Sequence, residues 1–199
     1  HVNTAIGITP STLINDSVFP GTQGGPHQHQ IAAVATQLKE VMTPEFKEYI
    51  KNVKSNSQIM AEELIKLGYT VSTNGSDNHI VLVNLHSKGI TGSKVERVCE
   101  LVDISINKNA VYGDKSPMSP GGIRLGTSAM TTRGLGNDEF IKVVALLDEC
   151  IKIALEVQEE FGKKLVDFNK GLENDKYKNK LDILRNEVNL FSEKFYFPC

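Results

Sequence analysis

The chain has 199 residues, enough for one sizeable domain or a domain and part of another. Its 22 basic and 24 acidic residues nearly balance, which excludes a large electrostatic pull toward nucleic acid or a membrane surface. No apolar run approaches the roughly 20 residues of a membrane span, and three cysteines without paired spacing argue against a disulfide framework or a zinc site.

In chain order, residues 1–25 are rich in Thr, Ser, Asn and Gly and read as an irregular, extended lead-in. They end in Phe19-Pro20-Gly21-Thr22-Gln23-Gly24-Gly25-Pro26-His27-Gln28-His29, a turn with little side chain of its own to pack. A helix is predicted over 27–41, with Ile31, Val34, Ala35, Leu38 and Val41 on one side. Thr43 suits an N-cap and Pro44 a first helical position, so a second helix starts there and carries Phe46, Ile50, Val53, Met60, Leu64 and Leu67 to a stop at Gly68.

The pattern then changes to strands at Tyr69–Thr73 and His79–Leu85, joined through Asn74-Gly75-Ser76-Asp77. The second strand is almost continuously apolar, as expected when both faces are covered. A helix over 91–102, a short strand around Ile104–Asn107, a Pro/Gly-rich loop from Lys108 to Gly121 and a strand at Gly122–Gly126 come next. Asn137 is expected to cap a helix running to about Phe161, with one apolar stripe that includes Cys150. Gly162, Gly171 and Asn174 punctuate the tail, and a last helix carries Tyr177, Leu181, Leu184, Val188 and Phe191. Phe195-Tyr196-Phe197-Pro198 is expected to fold back onto the body. Cys150 and Cys99 are expected to be buried packing residues and Cys199 an exposed terminus, which fits a reducing, cytoplasmic compartment.

Four segments could carry chemistry. The glycine turn is either an anion cradle, with main-chain N–H groups at Gly24 and Gly25, or a tight entry into the helix. It is neither a Walker loop nor a dinucleotide fingerprint, because it lacks Gly-Lys-Ser/Thr and a suitable preceding strand. Arg124, between Ile123 and Leu125 on a short strand, either grips a carboxylate or phosphate with its planar fork or forms a structural ion pair. The third segment joins Asn107-Lys108-Asn109 to Lys115-Ser116-Pro117-Met118-Ser119-Pro120. It either reads a planar heterocycle or is an ordinary polar connection. The fourth, Ser128–Gly134, has a possible anion-binding Arg133, but a structural or capping role is favoured. His27 and His29 are spaced wrongly for a helical metal pair, so no metal site is expected, and no nucleophile–base arrangement is found.

Phe19-Pro20-Gly21-Thr22-Gln23-Gly24-Gly25-Pro26 resembles a signature of the serine hydroxymethyltransferase family. Asp77-Asn78-His79, Asn107-Lys108-Asn109, Gly122–Thr127 and Thr132-Arg133-Gly134 lie in that family's order and approximate spacing. The resemblance runs from about Ser11 to Val157. It implies an α/β fold: the C-terminal part of a fold type I enzyme dependent on pyridoxal 5′-phosphate, in which long helices lead into a small domain whose short, mainly antiparallel sheet is covered by helices. Residues 1–43 would end the large cofactor-binding domain, 44–67 would connect, and 68–199 would be the small domain.

The implied activity is interconversion of serine and glycine with tetrahydrofolate as co-substrate. Gly24 and Gly25 match glycines that reach the cofactor phosphate of a homodimer partner, and Arg124 matches the arginine that binds the amino-acid carboxylate. Phe19, Asn109, Ser116, Pro117 and Met118 match folate-side positions, although the family often has an aromatic where Met118 stands and the loop here is slightly shorter. His29 matches a family histidine read as structural. The family's Schiff-base lysine, in a Thr-Thr-Thr-His-Lys segment upstream of the glycine turn, and its other cofactor-handling residues are not in these 199 residues. The expectation is therefore a C-terminal portion with no catalytic residue of its own, inactive alone and reliant on the missing N-terminal portion. Two other readings are a non-catalytic folding or dimerisation module, with the apolar helix faces at 27–67 and 137–161 exposed or self-associated, and part of another fold type I enzyme such as an aminotransferase.

Overall fold

Thr9 opens the first helix of the computed structural model, which describes residues 9–116 and 118–197. The Thr9 Oγ1 accepts from the Thr12 N–H at 3.2 Å, and Pro10 supplies a pre-set first turn, so α1 runs Pro10–Val18. For residues 10–18 this corrects the irregular lead-in expected over 1–25, of which 1–8 lie outside the described residues: the local capping chemistry was present and the Thr/Ser/Asn content hid it. The chain then folds back on the end of α1. The N–H groups of Phe19, Gly21 and Gln23 donate to Asn15, Asp16 and Val18 carbonyls. A Cβ on Gly21 would stand 2.7 Å from the Asp16 and Ser17 carbonyl oxygens, so only glycine fits there. α2 is Gln28–Val41. Neither α1 nor α2 buries a residue. The described residues up to Phe46 form one compact unit, and those from Lys47 onward a second.

α3, Pro44–Lys66, begins as expected, with the Phe46 N–H donating to Thr43 Oγ1 at 3.2 Å. It ends at Gly68, whose φ of +79° lets the Gly68 and Tyr69 N–H groups reach the Ile65 and Leu64 carbonyls. From Lys47 onward the chain builds a four-stranded sheet: β1 Thr70–Val71, β2 Ile80–Asn84, β3 Asn107–Asn109 and β4 Gly122–Gly126. Its order is β1-β2-β4-β3 and every pairing is antiparallel. The strand expected at Ile104–Asn107 is displaced. Ile104 and Ile106 pack against the core, and ladder pairing starts only at Asn107, opposite Arg124.

One sheet face is closed by helices, α4 (Gly92–Leu101), α6 (Asn137–Phe161) and α8 (Asp175–Ser192) contributing to the same core, with the short α5 (Ser128–Thr132) between β4 and α6. Val81, Val83, Ile123 and Leu125 point into it, with Phe140, Phe168 and Tyr177 among its largest buried side chains. The other face is open. Ile80 is 36% exposed and Leu82 is half-buried, so β2 is not covered on both sides as its apolar run suggested. The α6 stripe is buried, which removes half of the surface the folding-module reading needed. Gly136 rather than Asn137 is the N-cap of α6. The Glu139 carboxylate accepts from the Gly136 N–H at 2.9 Å, leaving Asn137 to accept from the Ser55 hydroxyl. α7, Leu165–Leu172, is an additional helix in the tail, where the glycines suggested only punctuation. Gly171 lies against Phe161 and Val157, where a Cβ would clash at 2.7–2.8 Å. Cys99 and Cys150 are buried, and the contact with Cys150, together with burial, pushes the Cys99 thiol well up. Cys199, Pro198 and Pro117 lie outside the described residues.

Candidate active site

Strand alternation sets the site on the open sheet face. Ile123 and Leu125 enter the core, so Arg124 between them must point the opposite way. Arg124 is held between two neighbours in the ladder, opposite Leu82 of β2 and Asn107 of β3. Its Nη2 donates to Asn107 Oδ1 at 2.8 Å. Among the described residues no carboxylate lies within 4.0 Å of this guanidinium, so the structural ion pair is not present. It faces an open groove of about 460 Å³ whose walls include His79, Ser105 and Asn107. A cation on a central strand, steadied by one neutral amide, has most of its donors left for a planar anion.

Asn107-Lys108-Asn109 is β3 itself, an edge strand, and its period of two separates the three side chains. Asn107 and Asn109 share the face of Arg124, while Lys108 turns to α4. There Glu96 accepts from the Lys108 N–H at 2.9 Å and from its ammonium at 2.6 Å. Burial pushes the Glu96 carboxyl up, but these Lys108 contacts outweigh it and hold the group below its usual value. Asn109 stands opposite Gly122, with its amide donating to the Ala110 carbonyl at 2.7 Å. The loop begins after it, at Ala110 rather than Lys108. Ser116 Oγ accepts from the Met118 N–H at 3.2 Å, and Met118 is 88% exposed.

The glycine turn belongs to the first unit. Gly24 and Gly25 precede α2, whose opening N–H groups lack intrahelical partners by construction. Their φ angles are not positive, so left-handed backbone is not what glycine supplies here. A Cβ on either would meet nothing within 4 Å, and a concavity of about 330 Å³ is lined by Gln23, Gly24, Gly25, His27 and Gln30. The missing side chains leave backbone N–H groups open to a phosphate, which fits an anion cradle. Phe19 is 64% exposed. His27 and His29 stack with ring centroids 5.7 Å apart, and His27 Nδ1 bonds Gln30 Oε1.

Residues 6–147 match the family model described as Serine hydroxymethyltransferase. The chain belongs to the serine hydroxymethyltransferase family. It is 50% identical over 186 residues to serine hydroxymethyltransferase of Bombyx mori, covering 93% of this chain and 40% of that protein. It is 48% identical over 185 residues to serine hydroxymethyltransferase 5 of Arabidopsis thaliana, covering 93% and 39%. The cytosolic serine hydroxymethyltransferase of Oryctolagus cuniculus is 45% identical over 190 residues, covering 94% and 39%. The chain thus spans about two-fifths of the length of the curated relatives it matches.

Within this chain, Arg124 and Asn109 share one sheet face, and Ser116 and Met118 lie on the loop that joins their strands. Phe19, Gly24 and Gly25 lie in the other unit. Two roles escaped sequence reasoning, that of Asn107 inside its singled-out segment and that of Glu96. Asn107 is the partner of Arg124, and the two-residue spacing to Asn109 was a usable signal. Glu96, which sets β3, lies on α4 and had none. Arg133, offered as an anion site, is committed elsewhere: it donates to the carbonyls of Ser192, Phe195 and Tyr196 and so docks the C-terminal segment, as the structural reading expected. Thr131 is structural too, accepting from the buried Asn56 amide at 2.9 Å. Among the described residues no group of three or more His, Cys, Asp or Glu could hold a metal, and no helix is long and apolar enough to cross a membrane.

Proposed function

We propose that this chain is the C-terminal portion of an enzyme that interconverts serine and glycine and passes the one-carbon unit to or from tetrahydrofolate. The observation that carries the reading is Arg124: a cation on a central strand, facing an open groove, with the Asn107 amide as its one side-chain partner among the described residues. Its fork suits an amino-acid carboxylate. Asn107 fixes the guanidinium plane, and Asn109, Ser116, Pro117 and Met118 form the folate side. Phe19 would serve the folate side of the other subunit's site in a homodimer.

Gly24 and Gly25 would offer backbone N–H groups to the phosphate of pyridoxal 5′-phosphate held mainly by that other subunit. When bound, the cofactor supplies the electron sink at the amino-acid Cα. These residues bind and orient; the lysine that anchors the cofactor belongs to the missing N-terminal portion. Residues 1–43 then end the large domain, 44–67 connect, and 68–199 are the small domain. A cytosolic location is proposed, relatives being named both cytosolic and chloroplastic.

The full-length protein is expected to convert serine to glycine only with both pyridoxal phosphate and tetrahydrofolate. The purified 199 residues are expected to show none of this turnover. Turnover by these residues alone, or a full-length protein indifferent to tetrahydrofolate, contradicts the proposal.

A further inference from the structure

The loop between β3 and β4 is closed at its base by one acidic side chain. Asp114 Oδ2 accepts from the Val111 N–H at 2.8 Å, and both its oxygens lie 3.0 Å from the Gly121 nitrogen. His86, in the turn after β2, reaches Asp114 Oδ1 with Nε2 at 2.9 Å. The carboxylate is only 8% exposed. One carboxylate therefore ties the start of the loop to its end and both to a third segment. The backbone is shaped for this: a Cβ on Gly121 would come within 2.6 Å of His86 and Asp114, and one on Gly122 within 2.3 Å of Val111.

We infer that Asp114, steadied by His86, is a positioning residue for the co-substrate side of the site, an inference that rests on the reading of Asn109 given above. The two strands that carry the site differ in how firmly they are held. Arg124 is flanked by β2 and β3, so the ladder fixes it without the loop. Asn109 ends a three-residue edge strand and depends on the loop beyond it. Asp114 grips the amide two residues beyond Asn109 and the one just before Gly122, the residue opposite Asn109. The carboxylate accepts from two backbone donors at once. An Asn side chain keeps the shape but has a single acceptor oxygen, so it cannot serve both amides and receive His86 as well.

The test is Asp114→Asn in the full-length enzyme, with His86→Gln as the milder variant and Asn109→Ala as reference. Loss of a hydrogen bond to a charged acceptor predicts about a tenfold rise in the tetrahydrofolate KM for Asp114→Asn, with the serine KM and kcat at saturation little changed. His86→Gln, whose amide can still donate to Asp114, should stay close to wild type. Amide hydrogen exchange at Val111 and Gly121 should quicken in Asp114→Asn and hold in His86→Gln. If Asn109→Ala raises the tetrahydrofolate KM and Asp114→Asn does not, the positioning role is overturned. If serine and tetrahydrofolate KM rise together in Asp114→Asn, the effect is general loosening and the role is again overturned. If Asn109→Ala leaves the tetrahydrofolate KM unchanged, the folate reading itself fails. The exchange data then decide whether Asp114 fixes the strand end: quickened exchange at both amides upholds that, and unchanged exchange overturns it.

Discussion

Two amphipathic helices of this chain meet different fates. On α6, Phe140, Val144, Leu147, Cys150, Ile151, Ala154 and Val157 are all buried, whereas on α2 Ile31, Val34 and Leu38 are each more than half exposed. Both stripes keep the same 3.6-residue period. Periodicity therefore tells that a helix has a side to cover and does not tell what covers it. For α6 the cover is α4, α7 and α8, within the same 199 residues. For α2 none is provided among the described residues of its own unit, and the relatives are more than twice as long as the stretch they share with this chain.

The contrast can be broken most forcefully by truncating one residue on each helix. Phe140→Ala should cost about 3–5 kcal/mol by urea denaturation of the 199-residue chain, because it empties a site in a closed core. Leu38→Ala should stay within about 0.5 kcal/mol, as for other surface changes. A comparable loss at both positions would mean that α2 is covered in solution. The glycines sharpen the same comparison at smaller amplitude. Gly92→Ala places a Cβ 2.0 Å from the Gly122 carbonyl oxygen and should cost about 1–3 kcal/mol through overpacking. Gly25→Ala meets nothing within 4 Å and should leave stability unchanged while weakening pyridoxal phosphate retention in the full-length enzyme. Equal stability effects would deny that the two glycines exist for different reasons.

The smallest effect concerns pH. The Val111 and Gly121 N–H groups hold the Asp114 carboxyl below its usual value against a smaller opposing effect of burial, with His86 adding to the lowering. A lowered folded value means that the carboxylate's stabilisation is present above the ordinary range and lost as pH falls through the lowered one. The stability difference between wild type and Asp114→Asn should thus shrink as pH falls below about 4, where free aspartate also protonates. A difference unchanged between about pH 5 and about pH 3 would assign the effect to another group.

Much of the chain from Thr43 onward was legible because its signals are local. Thr43-Pro44, Gly68 and the alternation around Arg124 each carry their structural consequence within a few residues. The misses share a cause of the opposite kind. β2 looked covered on both faces because Ile80 and Leu82 are apolar, and only the layering decides that their side stays open. α7 hid behind Gly171, which is there for close contact with Phe161 and not to end a helix. α1 was lost to composition, although Thr9-Pro10 is a local start signal. In the site, Arg124 could be singled out from its strand, whereas Glu96 and His86 act from other elements and have no pattern of their own.

The proposed role of Arg124 is to receive the carboxylate of the amino acid. Its direct test is Arg124→Ala in the full-length enzyme, with the serine KM as readout. Loss of a bidentate charged contact, worth about 3 kcal/mol, predicts a rise of about a hundredfold with stability and pyridoxal phosphate content retained. A serine KM equal to that of the wild type would contradict the account.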